Sequence, residues 1–266
     1  MPQIPVLFIG RAVEEVVCRM LMESPALLVA KASHDTLSAI PIDENGVPSR
    51  TSVEPWPAER LLALPNNMRP STIDELRKWA IERLKLHLPV SLQSMKEEWE
   101  KNERKSGDWS SVSPDYCLQM CINGLDFHLK EVQRCIDSNG GPNLKSWRRG
   151  NRHDWPAPDA RRYTLSNNHP LAQDGPVSLV EAWEIARPWF VDPNAGKFAM
   201  NAVHPEHWFQ GEYDLVYRWD DRIVIVDLKA SMGRGDRSGN YVDQLRMYAM
   251  LWWTTHGKEQ QVDSLE

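Results

Sequence analysis

Two strand-like runs near the end of the chain constrain its fold more than any other sequence feature. Residues 212–219 and 222–230 are rich in β-branched and aromatic side chains, and Asp220-Asp221 separates them. Positions 223–226 read Ile-Val-Ile-Val, so both faces of the second run are apolar. This pattern predicts a β-hairpin whose second strand is buried on both sides.

The turn length sets the register of this hairpin. A two-residue turn pairs Trp219 with Arg222, so the numbers of paired residues sum to 441. Asp214 then lies opposite Asp227, with Cβ atoms roughly 4.5–5.5 Å apart on one face. Lys229 follows Asp227 by two residues and therefore points to the same side of the strand.

Charged groups on a buried face are energetically costly, so the presence of two carboxylates and an ammonium group there requires a chemical explanation. Carboxylates that close together repel unless a cation or a proton lies between them. Carboxylate oxygens are the ligands that Mg²⁺ prefers, and a bound divalent cation can polarise a phosphodiester and activate water. A lysine beside it can orient that water or stabilise developing negative charge. The alternative interpretation is a salt bridge on an exposed sheet face.

Helical patterns predominate in the rest of the chain. We predict helices at about 10–22, 91–104, 113–137, 178–189 and 240–253. Another helix is predicted to begin at Ser71 or Thr72 and to continue until Pro89 interrupts the pattern. Capping signals support two of the starts: Thr72 with Glu75, and Ser113 before Pro114. The segment 33–67 is predicted as loop with a short strand or a turn of helix, and most of 142–176 is predicted as loop.

Three short motifs near the hairpin resemble those of a known superfamily. They are Gly-Glu-Tyr-Asp at 211–214, Val-Asp-Leu-Lys at 226–229 and Gln-Leu-Arg-Met-Tyr at 244–248. In this order they resemble the G-x-x-D, D-x-K and Q-x-x-x-Y motifs of the PD-(D/E)XK nuclease superfamily, in particular its RecB-like branch. That branch includes the nuclease domains of bacterial helicase–nucleases and the exonucleases of CRISPR spacer acquisition. The continuous resemblance covers about residues 211–253.

The resemblance implies a fold for the whole chain. It would be a single α/β domain over residues 1–266, with a central mixed β-sheet flanked by helices, as in restriction endonucleases. A large, mostly helical insertion would occupy about residues 60–195, and the catalytic strand–strand–helix unit would occupy 196–256. Members of this superfamily usually have another strand after the last helix, and we expect this chain to be incomplete at that end.

The resemblance also assigns roles to the motif residues. Asp214, Asp227 and the backbone carbonyl of Leu228 would hold Mg²⁺ or Mn²⁺, and Lys229 would be the catalytic lysine. Gln244 and Tyr248 lie one helical turn apart on one face and would border the active site.

A further acid is expected from a helix near the start of the chain. The superfamily places an acid or a histidine there, and the spacing from Gly10 fits Glu14. Glu14 shares an apolar stripe with residues 17, 18 and 21, so it is expected to face inward and to act as a metal ligand. Glu15 is the competing candidate, and we favour Glu14.

These features predict a metal-dependent DNA nuclease, with an exonuclease of DNA repair, recombination or CRISPR-type processing as the leading hypothesis. Its expected partners are DNA and a helicase domain or subunit. One alternative is a catalytically inactive DNA-binding or scaffolding module of a helicase–nuclease complex. A sequence-specific restriction-type endonuclease is another.

The cysteines do not match the iron–sulfur pattern of some relatives. That pattern requires three cysteines after the Q-x-x-x-Y helix, and none follows Tyr248. Cys117, Cys121 and Cys135 lie instead on the apolar stripe of the middle helix and are predicted to pack as core thiols. An iron–sulfur cluster is therefore not expected.

The charge and hydropathy of the sequence allow predictions about the binding partners and the cellular location of the protein. The net charge of −6 is unusual for a DNA-binding protein, but basic residues cluster at 145–152 and at Arg161-Arg162. These clusters are equally compatible with solvated loops and with DNA contacts. No apolar run of about 18 residues and no secretory signal occur, so we expect a cytoplasmic protein without membrane contact.

Two other segments carry weaker signals. His204 and His207 precede the hairpin, and the loop context and Pro205 favour a positional role over metal binding. The glycine-rich segment 231–239 contains two arginines and is compatible either with closure on DNA or with a simple connection.

Overall fold

The computed structural model describes residues 3–29, 61–152, 163–164, 168–188, 200–229, 239, 241–256 and 261–266. These residues form a mixed α/β structure, which confirms the α/β part of the predicted fold class. The helices are α1 (Pro5–Met22), α2 (Ile73–Lys101), α3 (Pro114–Asp137), α4 (Leu144–Arg148), α5 (Leu179–Ile185) and α6 (Val242–His256). The strands are β1 (Leu27–Val29), β2 (Leu61–Ala63), β3 (Asn151–Arg152), β4 (Tyr163–Thr164), β5 (Met200–Val203), β6 (Gln210–Tyr213), β7 (Leu215–Tyr217), β8 (Ile223–Val226) and β9 (Val262–Leu265).

The described strands pair in small sheets of two or three strands. The pairs β1–β2, β3–β4 and β5–β6 are antiparallel. The largest of these sheets has the order β7–β8–β9, in which β8 is antiparallel to β7 and parallel to β9. This sheet is mixed, as predicted, but the described residues do not join the strands into one large central sheet.

The hairpin formed by β7 and β8 has the register that the turn length predicts. Its paired residues are Leu215 with Val226, Val216 with Ile225, and Tyr217 with Val224, so the numbers sum to 441 in each pair. The turn is closed by a hydrogen bond from the Asp221 N–H to the Arg218 carbonyl, at 3.4 Å. Asp221 has a φ of 66°, which aspartate tolerates better than most residues.

The first strand of the hairpin is shorter than the sequence indicates. We predict one strand over 212–219, but the chain bends at Asp214 and the strand divides into β6 and β7. β6 pairs with β5, whereas β7 pairs with β8. The single-strand prediction is therefore wrong, because β-propensity does not reveal that neighbouring residues pair with different strands. Asp214 lies at this junction.

Helix α2 is continuous, so the predicted break at Pro89 is wrong. The helix begins after Thr72, whose Oγ1 accepts a hydrogen bond from the Glu75 N–H at 3.2 Å. Pro89 is exposed, while residues 87–88 and 91–92 on either side of it are buried. This packing keeps the helix together, although proline removes one backbone hydrogen bond from its interior.

Helix α3 confirms its sequence prediction. Ser113 caps it by accepting a hydrogen bond from the Tyr116 N–H, and Pro114 occupies the first turn. It ends before Asn139, Gly140 and Gly141, which all have positive φ. The three cysteines on this helix, and Cys18 on α1, are buried as predicted. Burial raises the pKa of Cys121 and of Cys135 to about 12.

The β7–β8 hairpin lies between two hydrophobic cores. The larger core contains α1, α2, α3 and α5 with one face of the hairpin, and the smaller contains α6 with the other face. Members of the larger core include Ile9, Val16, Met20, Leu76, Leu84, Cys121, Leu125, Val132, Trp183, Leu215, Tyr217, Val224 and Val226. The smaller core contains Ala202, Tyr213, Val216, Ile223, Ile225, Leu251 and Trp252.

The helices of the segment 60–195 contribute to the larger core rather than to a core of their own. α2 and α3 both contact α1, and α5 contacts α3. Whether this segment is an insertion into a nuclease domain stays a prediction. None of the helices in the described ranges has the length and apolarity needed to cross a membrane.

A fully buried carboxylate joins three helices of the larger core. Glu23 follows α1, and its carboxylate contacts Arg83 and His87 of α2, the latter at 2.5 Å. Its backbone carbonyl accepts hydrogen bonds from Trp183 at 3.0 Å and from Arg187 at 2.6 Å. Burial alone would raise the pKa of Glu23, but His87 and Arg83 outweigh it and lower the pKa.

The last strand was not anticipated. β9 follows α6 and pairs in parallel with β8. Whether the chain is incomplete at this end stays a prediction. The four residues Val-Asp-Ser-Leu are too few to show a strand period in the sequence. Beyond β9, the Glu266 N–H donates to the Ile225 carbonyl and the Asp227 N–H donates to the Glu266 carbonyl, both at 3.0 Å.

Candidate active site

The predicted site residues of the hairpin lie at its open end. Asp214 directly precedes β7, and Asp227 directly follows β8. The Asp214 carboxylate accepts a hydrogen bond from the Leu228 N–H at 2.6 Å. The Leu228 side chain packs against the larger core, so the backbone around it is held between that core and Asp214.

Lys229 forms an ion pair with Asp227. The Lys229 Nζ lies 2.7 Å from one carboxylate oxygen and 3.0 Å from the other. Its Nζ also lies 5.2 Å from the centre of the Tyr241 ring. Burial opposes the charge on Lys229, but its hydrogen bond to Asp227 and its attraction to Asp227 and Asp214 raise its pKa. Lys229 is therefore protonated at neutral pH.

The surroundings of Asp214 disfavour the ionised form of its carboxyl group, and we call Asp214 electrostatically strained in this sense. Its pKa is raised from 3.8 to about 7, mainly by burial and by the charge of Glu14. Asp227 adds to this effect, whereas the Leu228 N–H and Lys229 oppose it. Lys229 thus does not compensate the carboxylates of the described site residues, and these carboxylates favour an additional positive charge.

The two neighbouring acids of α1 have different surroundings. Glu14 is half-buried, and its charge acts on Asp214. Glu15 turns towards α2, where it accepts a hydrogen bond from Ser91 at 2.6 Å and pairs with Arg19 at 3.0 Å. The structure therefore brings Glu14, and not Glu15, into the electrostatic environment of the hairpin carboxylates.

Helix α6 brings the last two predicted residues to the site. The Gln244 Nε2 donates a hydrogen bond to the Tyr248 hydroxyl at 2.8 Å. Burial raises the pKa of Tyr248, and the charges of Asp227 and Asp214 add to the rise. Tyr248 thus keeps its proton, and the bond from Gln244 leaves that proton available for another acceptor.

Three site residues lack a role in the sequence analysis. Tyr241 lies beside Lys229, and the Tyr213 hydroxyl donates to the Tyr248 carbonyl at 3.3 Å. Gly211 packs directly under the Tyr248 ring, because a Cβ there would lie 2.8 Å from a ring carbon. The helical spacing of Tyr241, Gln244 and Tyr248 is a signal that could have identified the first of these.

Replacement of Gly211 by alanine is expected to destabilise the protein by about 1–3 kcal/mol, because the new methyl group overlaps the Tyr248 ring. Chemical denaturation measures the change. Gly239→Ala is the matched control, since a Cβ at Gly239 has no neighbour within 4 Å. Combining Gly211→Ala with Tyr248→Ala should recover part of the loss. Equal losses from Gly211→Ala with and without Tyr248 would contradict this packing role.

The donor groups at the hairpin suit a hard divalent cation. The carboxylates of Asp214, Asp227 and Glu14 and the carbonyl of Leu228 offer oxygen atoms only, as Mg²⁺ and Mn²⁺ require. Burial and the charge of Glu14 raise the pKa of Asp214, so its ionised carboxylate would be stabilised by a bound cation. However, no three histidine, cysteine or acidic side chains within the described ranges are close enough to form a complete metal cage.

The remaining predicted features are the histidines before the hairpin and three features outside the described residues. The His204 ring stacks between Trp208 and Phe209 in the turn before β6, and its Nδ1 accepts the Glu206 N–H, which supports the positional role. Arg161-Arg162, the segment 231–238 and Asn240, where the last helix is predicted to begin, lie outside the described residues.

Comparison of the chain with protein-family models, with curated proteins and with solved structures found no match. The superfamily resemblance therefore rests on the three motifs.

Proposed function

We propose that this chain is a Mg²⁺- or Mn²⁺-dependent deoxyribonuclease that hydrolyses phosphodiester bonds as an exonuclease. The observation that carries the proposal is the open end of the hairpin. Asp214 and Asp227 lie there beside Lys229, and burial together with the charges of Glu14 and Asp227 raises the pKa of Asp214 to about 7. A buried acidic cluster next to a cation is the arrangement that metal-assisted phosphoryl chemistry uses.

The surrounding fold supports this proposal. The mixed sheet β7–β8–β9 has the larger helical core on one face and α6 on the other. This layering fits the restriction-endonuclease-like core that the superfamily resemblance implies. The order of the motifs along the chain fits as well, because the two strands and the helix that carry them meet at one site.

In the proposed mechanism, Asp214, Asp227, Glu14 and the Leu228 carbonyl would hold the cation. When bound, the cation supplies Lewis-acid polarisation of the phosphate and lowers the pKa of a water molecule. Lys229 is protonated, so it acts as a donor to the attacking water or to the phosphate oxygens and not as a base. Tyr248 keeps its proton and can donate to a phosphate oxygen.

The test is degradation of end-labelled DNA by the purified protein in Mg²⁺, in Mn²⁺ and in EDTA, beside the variants Asp227→Ala and Lys229→Ala. We expect progressive shortening with either metal, none in EDTA, and a loss of at least about 10²-fold in each variant. Equal activity of the wild type and both variants would overturn the proposal. Fragments of defined length would instead indicate a restriction-type endonuclease.

The second candidate function is a catalytically inactive DNA-binding or scaffolding module in a helicase–nuclease complex. One observation favours it: the described residues hold no complete three-ligand cage, and Asp227 is engaged by Lys229. DNA binding that is unaffected by EDTA, with no cleavage in any metal, would support this candidate over the nuclease.

A further inference from the structure

A polar cavity of about 570 Å³ lies away from the candidate active site. It is lined by α4 and by the segment 168–174, with Lys145, Arg148 and Arg149 on the first wall and Asn168, Gln173 and Asp174 on the second. Its volume lies within the range of small-molecule sites. The sequence analysis left the basic cluster that contains these cations open between solvated loop and DNA contact.

Arg148 holds the two walls of the cavity together. Its guanidinium forms two hydrogen bonds with the buried Glu181 carboxylate, at 2.8 and 3.1 Å. The same group donates to the carbonyls of Gly175 and Pro176, at 3.0 and 3.3 Å. The Arg148 carbonyl accepts the His169 N–H at 2.9 Å. The cavity is therefore preformed, and Arg148 is a structural cation that Glu181 neutralises.

The other two cations of the cavity are not neutralised. Lys145 and Arg149 are exposed, and no carboxylate in the described part of the chain lies within 4.0 Å of either one. Asp174 lines the same cavity but forms no ion pair with them. Two cations that have no ion-pair partner among the described residues, beside the amides of Asn168 and Gln173, form a site for an anion with several oxygen acceptors, such as a phosphate.

The cavity is anchored to the turn end of the hairpin. Asn143, which precedes α4, donates to the Trp219 carbonyl at 3.1 Å and to the Asp221 carboxylate at 3.3 Å. The chain from Asp214 to Trp219 spans five residues, or about 17 Å of strand. That length corresponds to about five base pairs of duplex DNA.

We propose that this cavity is a second phosphate-binding site, which holds the backbone of the DNA several nucleotides from the cleaved bond through Lys145 and Arg149. The proposal rests on the proposed nuclease function and names where the substrate extends beyond the active site. Contacts of this kind set position and affinity without reading the base sequence.

The test measures the affinity of the full chain for end-labelled duplex DNA over a range of salt concentrations. Asp227→Asn serves as a common background so that the DNA stays intact. The double variant Lys145→Gln with Arg149→Gln is compared with Lys78→Gln plus Lys101→Gln, which removes the same charge from exposed positions of α2. We expect the first pair to weaken binding about 10-fold and to reduce the salt slope by about 1–2, and the control pair to change little.

Several outcomes separate this proposal from the nuclease function. Equal effects of the two pairs on DNA affinity would overturn the phosphate site while leaving metal-dependent cleavage untouched. With Asp227 intact, the Lys145 and Arg149 changes should raise KM and leave kcat unchanged. Absence of DNA binding by the wild type would overturn both proposals together.

A further outcome concerns small ligands. A deoxynucleoside monophosphate could bind through Lys145 and Arg149 while the substitutions of these two residues leave the DNA affinity unchanged. This result would show that the site takes a small phosphate ligand, and it would overturn the assignment to the DNA backbone.

Discussion

Asp214→Asn is expected to reduce DNA cleavage by about 10²–10³-fold and, in the absence of divalent cations, to stabilise the protein above pH 7. The loss of activity follows because asparagine keeps the shape of aspartate but lacks the charge that would hold a cation. The Leu228 N–H still finds an oxygen acceptor in the variant, so the backbone geometry at the junction of β6 and β7 should be kept.

The gain in stability follows from the raised pKa of Asp214, which is about 7 in the folded protein against an ordinary value of 3.8. At pH values between these two pKa values, Asp214 holds a proton in the folded state and has released it in the unfolded state. Stability of the wild type therefore falls as the pH rises from about 4 to 7, and the full cost is present above pH 7. Three pKa units correspond to about 4 kcal/mol, and partial solvent access reduces our expectation to about 2 kcal/mol.

Urea denaturation of both proteins at pH 5 and pH 8 in EDTA measures this difference, with Asp243→Asn as the control for removal of an exposed acid. The Asp214 variant should gain stability over the wild type at pH 8 and gain less at pH 5. Added Mg²⁺ should stabilise the wild type and not the variant. A variant less stable than the wild type at pH 8 in EDTA would show that Asp214 is not electrostatically strained.

Glu23→Ala is expected to destabilise the protein by about 3–5 kcal/mol, the largest effect on stability that we expect from a single substitution. The carboxylate is fully buried and holds both Arg83 and His87. Its removal leaves their polar groups without a partner in the larger core, and also leaves a cavity next to Trp183. The packing between α1, α2 and α5 should loosen as a result.

Thermal and chemical denaturation test this prediction, with Glu98→Ala as the matched control. Glu98 also forms an ion pair with an arginine, Arg11, but both side chains are about half exposed. Its loss should therefore cost less than about 1 kcal/mol. Similar losses from the two substitutions would mean that the buried pairs around Glu23 contribute no more than a surface ion pair.

Local sequence signals predicted several elements of the fold correctly. The capping residues Thr72 and Ser113 mark the starts of α2 and α3, because each side chain satisfies a free backbone N–H. The register of the hairpin also followed from local information, since the position of Asp220-Asp221 determines which residues of the two strands are opposed. These features depend on residues close to one another in the chain.

The errors concern features that depend on distant contacts. Proline weakens a helix locally, but packing on α1 keeps α2 continuous through Pro89. The division of the predicted strand at Asp214 depends on which strand each half pairs with. The short strand β9 is specified mainly by its pairing with β8 rather than by its own sequence.

The candidate site was predictable in composition but not in detail. The register places Asp214 and Asp227 at the open end of the hairpin, and the helical spacing of Gln244 and Tyr248 places them on one face. The close contact of Gly211 with Tyr248 requires knowledge of how α6 lies against β6, which no local pattern contains. The same holds for Glu14, whose proximity to the hairpin depends on how α1 packs in the larger core.

The division of the strand at Asp214 has a consequence for the thermodynamics of ligand binding. Asp214 has a hydrogen-bonded strand on each side, and the backbone of Asp227 is held by Glu266. Both aspartates are thus ordered before any ligand arrives, so little conformational entropy remains to be lost when a cation binds between them. Binding at this end of the hairpin should therefore be limited by desolvation of the carboxylates rather than by the ordering of the chain.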